Sequence, residues 1–224
     1  MTDTSKIRIA LDGPSGAGKS TIAKAVAAKL GLVYVDTGAL YRSVGLYAIE
    51  NGIDADDTDA IIASLDKIDI KMTYENGTQK VYLNGSDVGN RIRTPEASKY
   101  ASVVSKIPRV REFLLGLQRE RAEEGGVIMD GRDIGTSIIP DAELKVFMTA
   151  SAEARAKRRF LELEEKGMPQ PYDEVLRDIE ARDKSDRERE TAPCKPAPDA
   201  VQFVNDDYGI EESADYIISL IENL

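Results

Sequence analysis

The sequence contains no histidine and no tryptophan, and Cys194 is its only cysteine. Without histidine, no imidazole can act as a general base, a nucleophile or a metal ligand. A single cysteine excludes an internal disulfide and a cysteine-based zinc site. Any catalysis must therefore depend on Asp, Glu, Lys, Arg and hydroxyl side chains, a set that suits reactions governed by positioning and charge stabilisation.

The sequence also lacks a long apolar run and an excess of basic residues. No stretch approaches the ~18 uninterrupted apolar residues of a membrane-spanning helix, and the N-terminus has no secretory signal pattern. The formal net charge of −10 argues against a general nucleic-acid-binding protein, since phosphate backbones require a basic face. We expect a cytoplasmic monomer that binds neither membranes nor nucleic acids.

A glycine-rich segment near the N-terminus carries the clearest chemical signal. It reads G-x-x-x-x-G-K-[ST] and comprises Gly13, Pro14, Ser15, Gly16, Ala17, Gly18, Lys19 and Ser20. In this phosphate-binding loop (P-loop), backbone N–H groups surround phosphate oxygens, Lys19 reaches the β- and γ-phosphates, and the Ser20 hydroxyl binds Mg²⁺. An apolar strand precedes the loop and a helix beginning near Thr21 follows it, so the helix N-terminus also favours polyphosphate. The segment predicts a nucleoside triphosphate site.

Short apolar segments alternate with helical patterns over most of the chain. Strands are expected at 7–11, 32–35, 127–129, 144–148 and 201–204. This alternation is typical of a doubly wound parallel α/β sheet, here of five strands. Ligands bind such sheets beyond the carboxyl ends of the strands, so polar segments at that edge should share one cleft. Those segments are the P-loop, Asp36-Thr37, 130–133 and the residues after Met148.

Two regions depart from this alternation. Residues 68–73 alternate apolar and polar, Asn76-Gly77 is a turn signal and an apolar segment returns at 81–83, which predicts an antiparallel unit with helices after it. Farther on, two polar, arginine-rich helices joined near Gly167 predict a lid that closes over the cleft. We expect a core formed by residues 1–66 and 125–224, an insert at 67–124 and a lid at about 155–190.

The P-loop and five further segments, in this order, resemble the bacterial cytidylate kinase family over almost the whole chain. The further segments are 36–42 (DTGALYR), 92–94 (IRT), 108–111 (PRVR), 130–136 (DGRDIGT) and 182–189 (RDKSDRER). The resemblance implies transfer of the ATP γ-phosphoryl group to CMP or dCMP with Mg²⁺. It also implies a P-loop kinase core, a monophosphate-binding insert and a helical lid.

The resemblance further implies roles for individual residues. The expected cytosine contacts are Ser102, Arg111 and Asp133, the phosphate clamp is Arg42, Arg132 and Arg189, and the ribose contacts are Arg182 and Asp186. A carboxylate accepting from the N4 amino group is the natural cytosine contact, and a guanidinium fork matches phosphate geometry. The charges expected to neutralise the transferring phosphates, and thus to be catalytic, are Lys19, Arg132, Arg182 and Arg189.

The roles of several positions are open at this point. Asp130 is a pocket residue, a holder of magnesium-bound water (a role that Asp36 could also take) or a strand-end turn residue. Tyr41 lines the pocket or belongs to the core. The lid residues Arg155 and Arg158 bind ATP or lie on a solvated helix face. Thr37 carries the hydroxyl expected to contact CMP, although its methyl group restricts rotation.

Two other functions also fit a P-loop protein. One is a kinase for another small acceptor, such as UMP or a non-nucleotide alcohol, which would not need a carboxylate that reads cytosine. The other is a nucleotide-gated binding protein that hydrolyses ATP slowly and signals through the position of its lid. A guanine-reading N-K-x-D segment is absent, which weakens a GTPase interpretation. Acceptor-dependent formation of ADP separates these functions.

Overall fold

The computed structural model describes residues 4–75, 78–165, 167–222 and 224. In chain order the strands are β1 (Arg8–Asp12), β2 (Val33–Asp36), β3 (Ile70–Glu75), β4 (Thr78–Leu83), β5 (Ser86–Asp87), β6 (Val127–Gly131), β7 (Leu144–Thr149) and β8 (Val201–Val204). The α-helices are α1 (Lys19–Leu30), α2 (Thr37–Glu50), α3 (Thr58–Ser64), α4 (Pro95–Val104), α5 (Pro108–Glu123), α6 (Ala152–Glu165), α7 (Tyr172–Glu188) and α8 (Ile210–Glu222).

Five strands form a parallel sheet in the order β2-β6-β1-β7-β8, which confirms the predicted doubly wound core. Successive side chains of a strand point to opposite faces, and the packing follows this period. Ile9 and Leu11 of β1 pack on the side of α1 and α8, whereas Ala10 belongs to the cluster on the opposite face. Both faces are therefore buried, as expected of a parallel sheet with uninterrupted apolar strands.

The insert forms a second, antiparallel sheet of three strands in the order β3-β4-β5. The pairing of Ile70 with Leu83 agrees with the predicted hairpin, but the predicted Asn76-Gly77 turn lies outside the described residues. The short strand β5 was not predicted, because two residues cannot display a period of two. Side chains from α2 and α3 share one hydrophobic cluster with the insert, and the division into domains stays a prediction.

The start of α4 matches its sequence signal. Thr94 caps α4 by accepting from the Ala97 amide, and Pro95 occupies the first helical position.

The hairpin of α6 and α7 has a small apolar cluster of its own, formed by Ala156, Leu163, Val175 and Ile179. Within the described ranges, no helix is long and apolar enough to cross a membrane.

Candidate functional site

The P-loop connects β1 to α1 at the carboxyl edge of the parallel sheet. Gly13 has a φ of 145°, and a Cβ atom there would lie 1.9 Å from the Met148 carbonyl oxygen, so only glycine fits against β7. Gly18, with a φ of 91°, brings the chain into α1. The loop geometry therefore requires glycine at these positions for steric reasons. Ser20 and Thr21 follow with exposed side chains at the start of the helix.

Lys19 lies buried at the centre of this edge. Its Nζ atom donates to the Pro14 carbonyl oxygen at 2.9 Å and lies 3.8 Å from a carboxylate oxygen of Asp130. Burial, together with the charge of Arg132, lowers the pKa of Lys19 to about 8. Burial also raises the pKa of Asp130, while Lys19 acts in the opposite direction. A cation this poorly solvated is suited to an anionic ligand.

The strand register brings the expected acceptor residues of β2 and β6 together. Asp36 lies opposite Asp130, and its carboxylate both caps α2 at Ala39 and pairs with Arg42 at 2.6 Å. The Nε atom of Arg42 is buried without a hydrogen-bond partner in the described part of the chain. Thr37 is buried and donates its hydroxyl proton to the Asp130 carbonyl oxygen at 2.8 Å. Thr37 thus ties α2 to β6.

Asp133 lies between two guanidinium groups. It forms a close ion pair with Arg111 from α5, and one of its oxygens lies 3.6 Å from Arg189, which follows α7. All three side chains are nearly buried. The ring of Tyr41 lies under Arg111, with its centroid 5.6 Å from the guanidinium carbon, so Tyr41 supports the site through a cation–π contact. Ser102 is partly buried on α4, and its carbonyl oxygen accepts from the Ser105 hydroxyl at 3.1 Å.

The lid contributes further charges to the same cleft. Arg132 pairs with Asp186 at 3.2 Å, which links the segment after β6 to α7. Arg182 has an Nε atom that is buried without a partner among the described residues. Burial and the neighbouring Arg132 charge lower the pKa of Arg182 to about 10. A partly buried guanidinium whose Nε atom has no acceptor marks a place where an anion would be stabilised.

Arg155 and Arg158 both turn towards the P-loop. Arg155 is buried, pairs with Asp183 at 2.6 Å and donates to the Ser15 carbonyl oxygen at 3.1 Å. Arg158 donates to the Asn205 carbonyl oxygen at 2.5 Å and faces Ala17. The exposed-face interpretation of Arg155 is therefore wrong, because a long side chain on a polar helix can fold back and be buried. Its binding of ATP stays a prediction.

Asp12 is a site residue that the sequence interpretation missed. It ends β1, is buried, and accepts hydrogen bonds of 2.8 Å from the amides of Ile134 and Gly135. These amides begin a single π-helical turn that directly follows Asp133. Burial raises the pKa of Asp12 to about 7, although the amide hydrogen bonds act in the opposite direction. The sequence could have indicated Asp12, because it is an acidic residue that directly follows a buried apolar strand.

The oxygen donors at this edge are hydroxyl and carboxylate groups, which suit a hard cation such as Mg²⁺. In the described part of the chain, no group of three or more His, Cys, Asp or Glu side chains could hold a metal ion without other ligands. An ion bound here would need phosphate oxygens in addition to the exposed Ser20 hydroxyl.

Known proteins with similar sequences identify the family of this chain. The family model described as cytidylate kinase matches residues 9–223. The cytidylate kinase of Caldicellulosiruptor bescii is 51% identical over 96% of this chain and 95% of its own length, and that of Bacillus pumilus is 46% identical over 98% and 97%.

A crystal structure of an uncharacterised protein from Eubacterium ventriosum has a TM-score of 0.54 at 13% identity and covers 98% of this chain and all of that chain, which supports the fold alone. The family assignment rests on the family model and the sequence relatives, because both match nearly all of the chain. This protein belongs to the cytidylate kinase family.

Proposed function

We infer that this protein transfers the γ-phosphoryl group of ATP to CMP or dCMP, giving ADP and CDP or dCDP. The observation that carries this inference is the cluster of cations at the P-loop. Lys19 and Arg182 have lowered pKa values because they are buried beside Arg132. Bringing donor and acceptor phosphates together adds several negative charges at one place, and these cations would offset their mutual repulsion.

The P-loop, together with Thr21 directly after it, holds the ATP phosphates in this proposal. Its amides and the N-terminus of α1 surround the phosphate oxygens, and Lys19 leaves Pro14 to contact them. Ser20 would hold Mg²⁺ together with phosphate oxygens, and Asp36 or Asp130 would orient its water ligands. The bound ion supplies charge neutralisation on the donor phosphates. Arg155 and Arg158 support the loop and complete the ATP site.

The acceptor occupies the opposite side of the cleft. Asp133, held by Arg111, accepts from the cytosine amino group beside Ser102. The phosphate group of CMP is clamped by Arg42, Arg132 and Arg189, whereas Arg182 and Asp186 contact the ribose. An oxygen of the CMP phosphate attacks the γ-phosphorus, a new P–O bond forms and the bond to the β-phosphate oxygen breaks.

Closure of the α6–α7 lid excludes water, so that CMP rather than water receives the phosphoryl group. No general base is required, because the attacking phosphate oxygen is already ionised at neutral pH. Tyr41 then acts by holding Arg111 in place, and Thr37 acts by holding the main chain of β6. We also propose that the protein acts in the cytoplasm as a monomer.

Formation of ADP should be measured with CMP, dCMP, UMP and no acceptor, each with and without Mg²⁺. Turnover that depends on CMP or dCMP and on Mg²⁺ is the expected result. Equal ADP formation with and without every acceptor would instead favour the nucleotide-gated switch. A higher kcat/KM for UMP than for CMP would contradict the assignment of Asp133 to the base.

A further inference from the structure

Ser105 lies where the insert meets the end of the lid. It follows the last residue of α4, and its side chain is buried. Its hydroxyl donates to the Ser102 carbonyl oxygen at 3.1 Å and accepts from Nη1 of Arg189, also at 3.1 Å. Because the hydroxyl uses both its donor and an acceptor position, its orientation is fixed relative to the last turn of α4.

Ser105 also contacts the second arginine of the acceptor site. Its carbonyl oxygen accepts from Nη1 of Arg111 at 3.3 Å. Arg111 and Arg189 both direct their Nη2 atoms at Asp133. The four residues therefore form a closed ring that joins the insert, the segment after β6 and the end of α7.

The groups that accept hydrogen bonds from Arg189 are uncharged. The Ser105 hydroxyl is neutral, and so is the Ala192 carbonyl oxygen that accepts from Nε of Arg189 at 2.7 Å. Neutral acceptors fix the direction of a guanidinium group without offsetting its charge. The carboxylate of Asp133 is 3.6 Å from Arg189, which is longer than a hydrogen bond. Arg189 is thus oriented by neutral acceptors, and an anion could bind it without displacing a hydrogen-bonded carboxylate.

We propose that Ser105 is a positioning residue for the acceptor phosphate, acting through Arg189. This inference rests on the proposed function, in which Arg189 clamps the phosphate of CMP. Loss of the hydroxyl would remove the acceptor of Nη1 and leave Arg189 oriented less firmly, by its Nε hydrogen bond to Ala192 and its longer ion pair with Asp133. The affinity for CMP would then decrease. The affinity for ATP would not change, because the P-loop is not part of the ring.

The test is steady-state kinetics of Ser105→Ala, with KM measured separately for CMP and ATP. We expect KM for CMP to rise roughly 3- to 10-fold, the usual loss for one intramolecular hydrogen bond, while KM for ATP is unchanged. Ser105→Thr keeps the hydroxyl, so its KM for CMP should lie close to the wild-type value. Ser98→Ala is the matched control, because Ser98 lies on the same helix and its exposed hydroxyl donates to the Thr94 carbonyl oxygen at 3.0 Å. It should behave like the wild type.

A second comparison uses Arg189→Lys as the background. If Ser105 acts through the guanidinium group, Ser105→Ala should raise KM for CMP no further in that background. An unchanged KM for CMP in Ser105→Ala, or the same rise in both backgrounds, would overturn the inference. A wild-type protein that fails to phosphorylate CMP would refute the proposed function instead, so the two failures are distinguishable.

Discussion

Replacement of Asp133 by Asn tests both the base-reading role and the charge balance of the acceptor site. Asn keeps the shape of the side chain but removes the negative charge between Arg111 and Arg189. Removal of one partner from a buried ion pair typically costs about 3–5 kcal/mol. A folded domain is stable by only about 5–15 kcal/mol, so the variant should fold with a clearly lower Tm.

The same change should reduce discrimination between cytosine and uracil. Cytosine presents an amino donor at position 4, whereas uracil presents a carbonyl acceptor there. An ionised Asp133 only accepts, while Asn can accept or, after rotation, donate. The CMP-over-UMP ratio of kcat/KM should fall roughly 10- to 200-fold, which corresponds to about 1–3 kcal/mol of base discrimination. Most of the fall should come from lost activity on CMP, since the arginine pair is disturbed as well.

Asp183→Asn provides a matched control for this experiment. Asp183 also pairs with a buried arginine, Arg155, but that pair lies beside the P-loop at Ser15 and not beside the acceptor base. Asp183→Asn should therefore lower Tm by a comparable amount and leave the CMP-over-UMP ratio unchanged. An unchanged ratio in folded Asp133→Asn, or an equal fall in both variants, would refute the reasoning.

Three further predictions concern the ATP side and the lid. Lys19→Met should keep the fold and lose kcat by about 10²–10³-fold, because one preorganised charge is lost; near-normal turnover in a folded variant would contradict its assignment. Because burial lowers the pKa of Lys19 to about 8, kcat/KM for ATP should fall as pH rises through about 8, and Lys19→Arg should not show this fall. A pH profile shared by both proteins would exclude Lys19 as its source. CMP and ATP together, but not ATP alone, should protect the α6–α7 hairpin from trypsin, because closure orders a weakly packed lid. Equal digestion rates with and without both ligands would argue against closure.

The sequence predicted the features that depend on neighbouring residues. Buried parallel strands read as short apolar runs, and the glycines of the P-loop are required by a local backbone geometry that Gly13 illustrates. The capped start of α4 was visible because Thr94 and Pro95 are adjacent. The carboxyl edge of the sheet could be located in the same way, since a polar residue directly follows each of the five predicted strands.

The features that the sequence did not reveal depend on contacts between distant residues. Ser105 and Arg189 are 84 positions apart, and Asp12 and Ile134 are 122 apart. No local pattern marks a serine whose hydroxyl meets an arginine from another helix. Arg155 illustrates a related problem, because a charged residue in a polar helix reads as exposed although its guanidinium group is buried against Ser15.

The arginines of the cleft also differ in what an incoming phosphate must displace. Arg42 and Arg132 each contact a carboxylate, of Asp36 and Asp186 respectively, so a phosphate competes with an existing ion pair at both. Arg182 has no such hydrogen-bonded partner among the described residues, and Arg189 is held largely by neutral acceptors. At these two arginines an incoming phosphate therefore has no hydrogen-bonded carboxylate to displace among the described residues, because the pair of Arg189 with Asp133 is longer, at 3.6 Å. Because the negative charge between donor and acceptor is concentrated most strongly when both phosphates are held together, these two cations can contribute most where the charge develops.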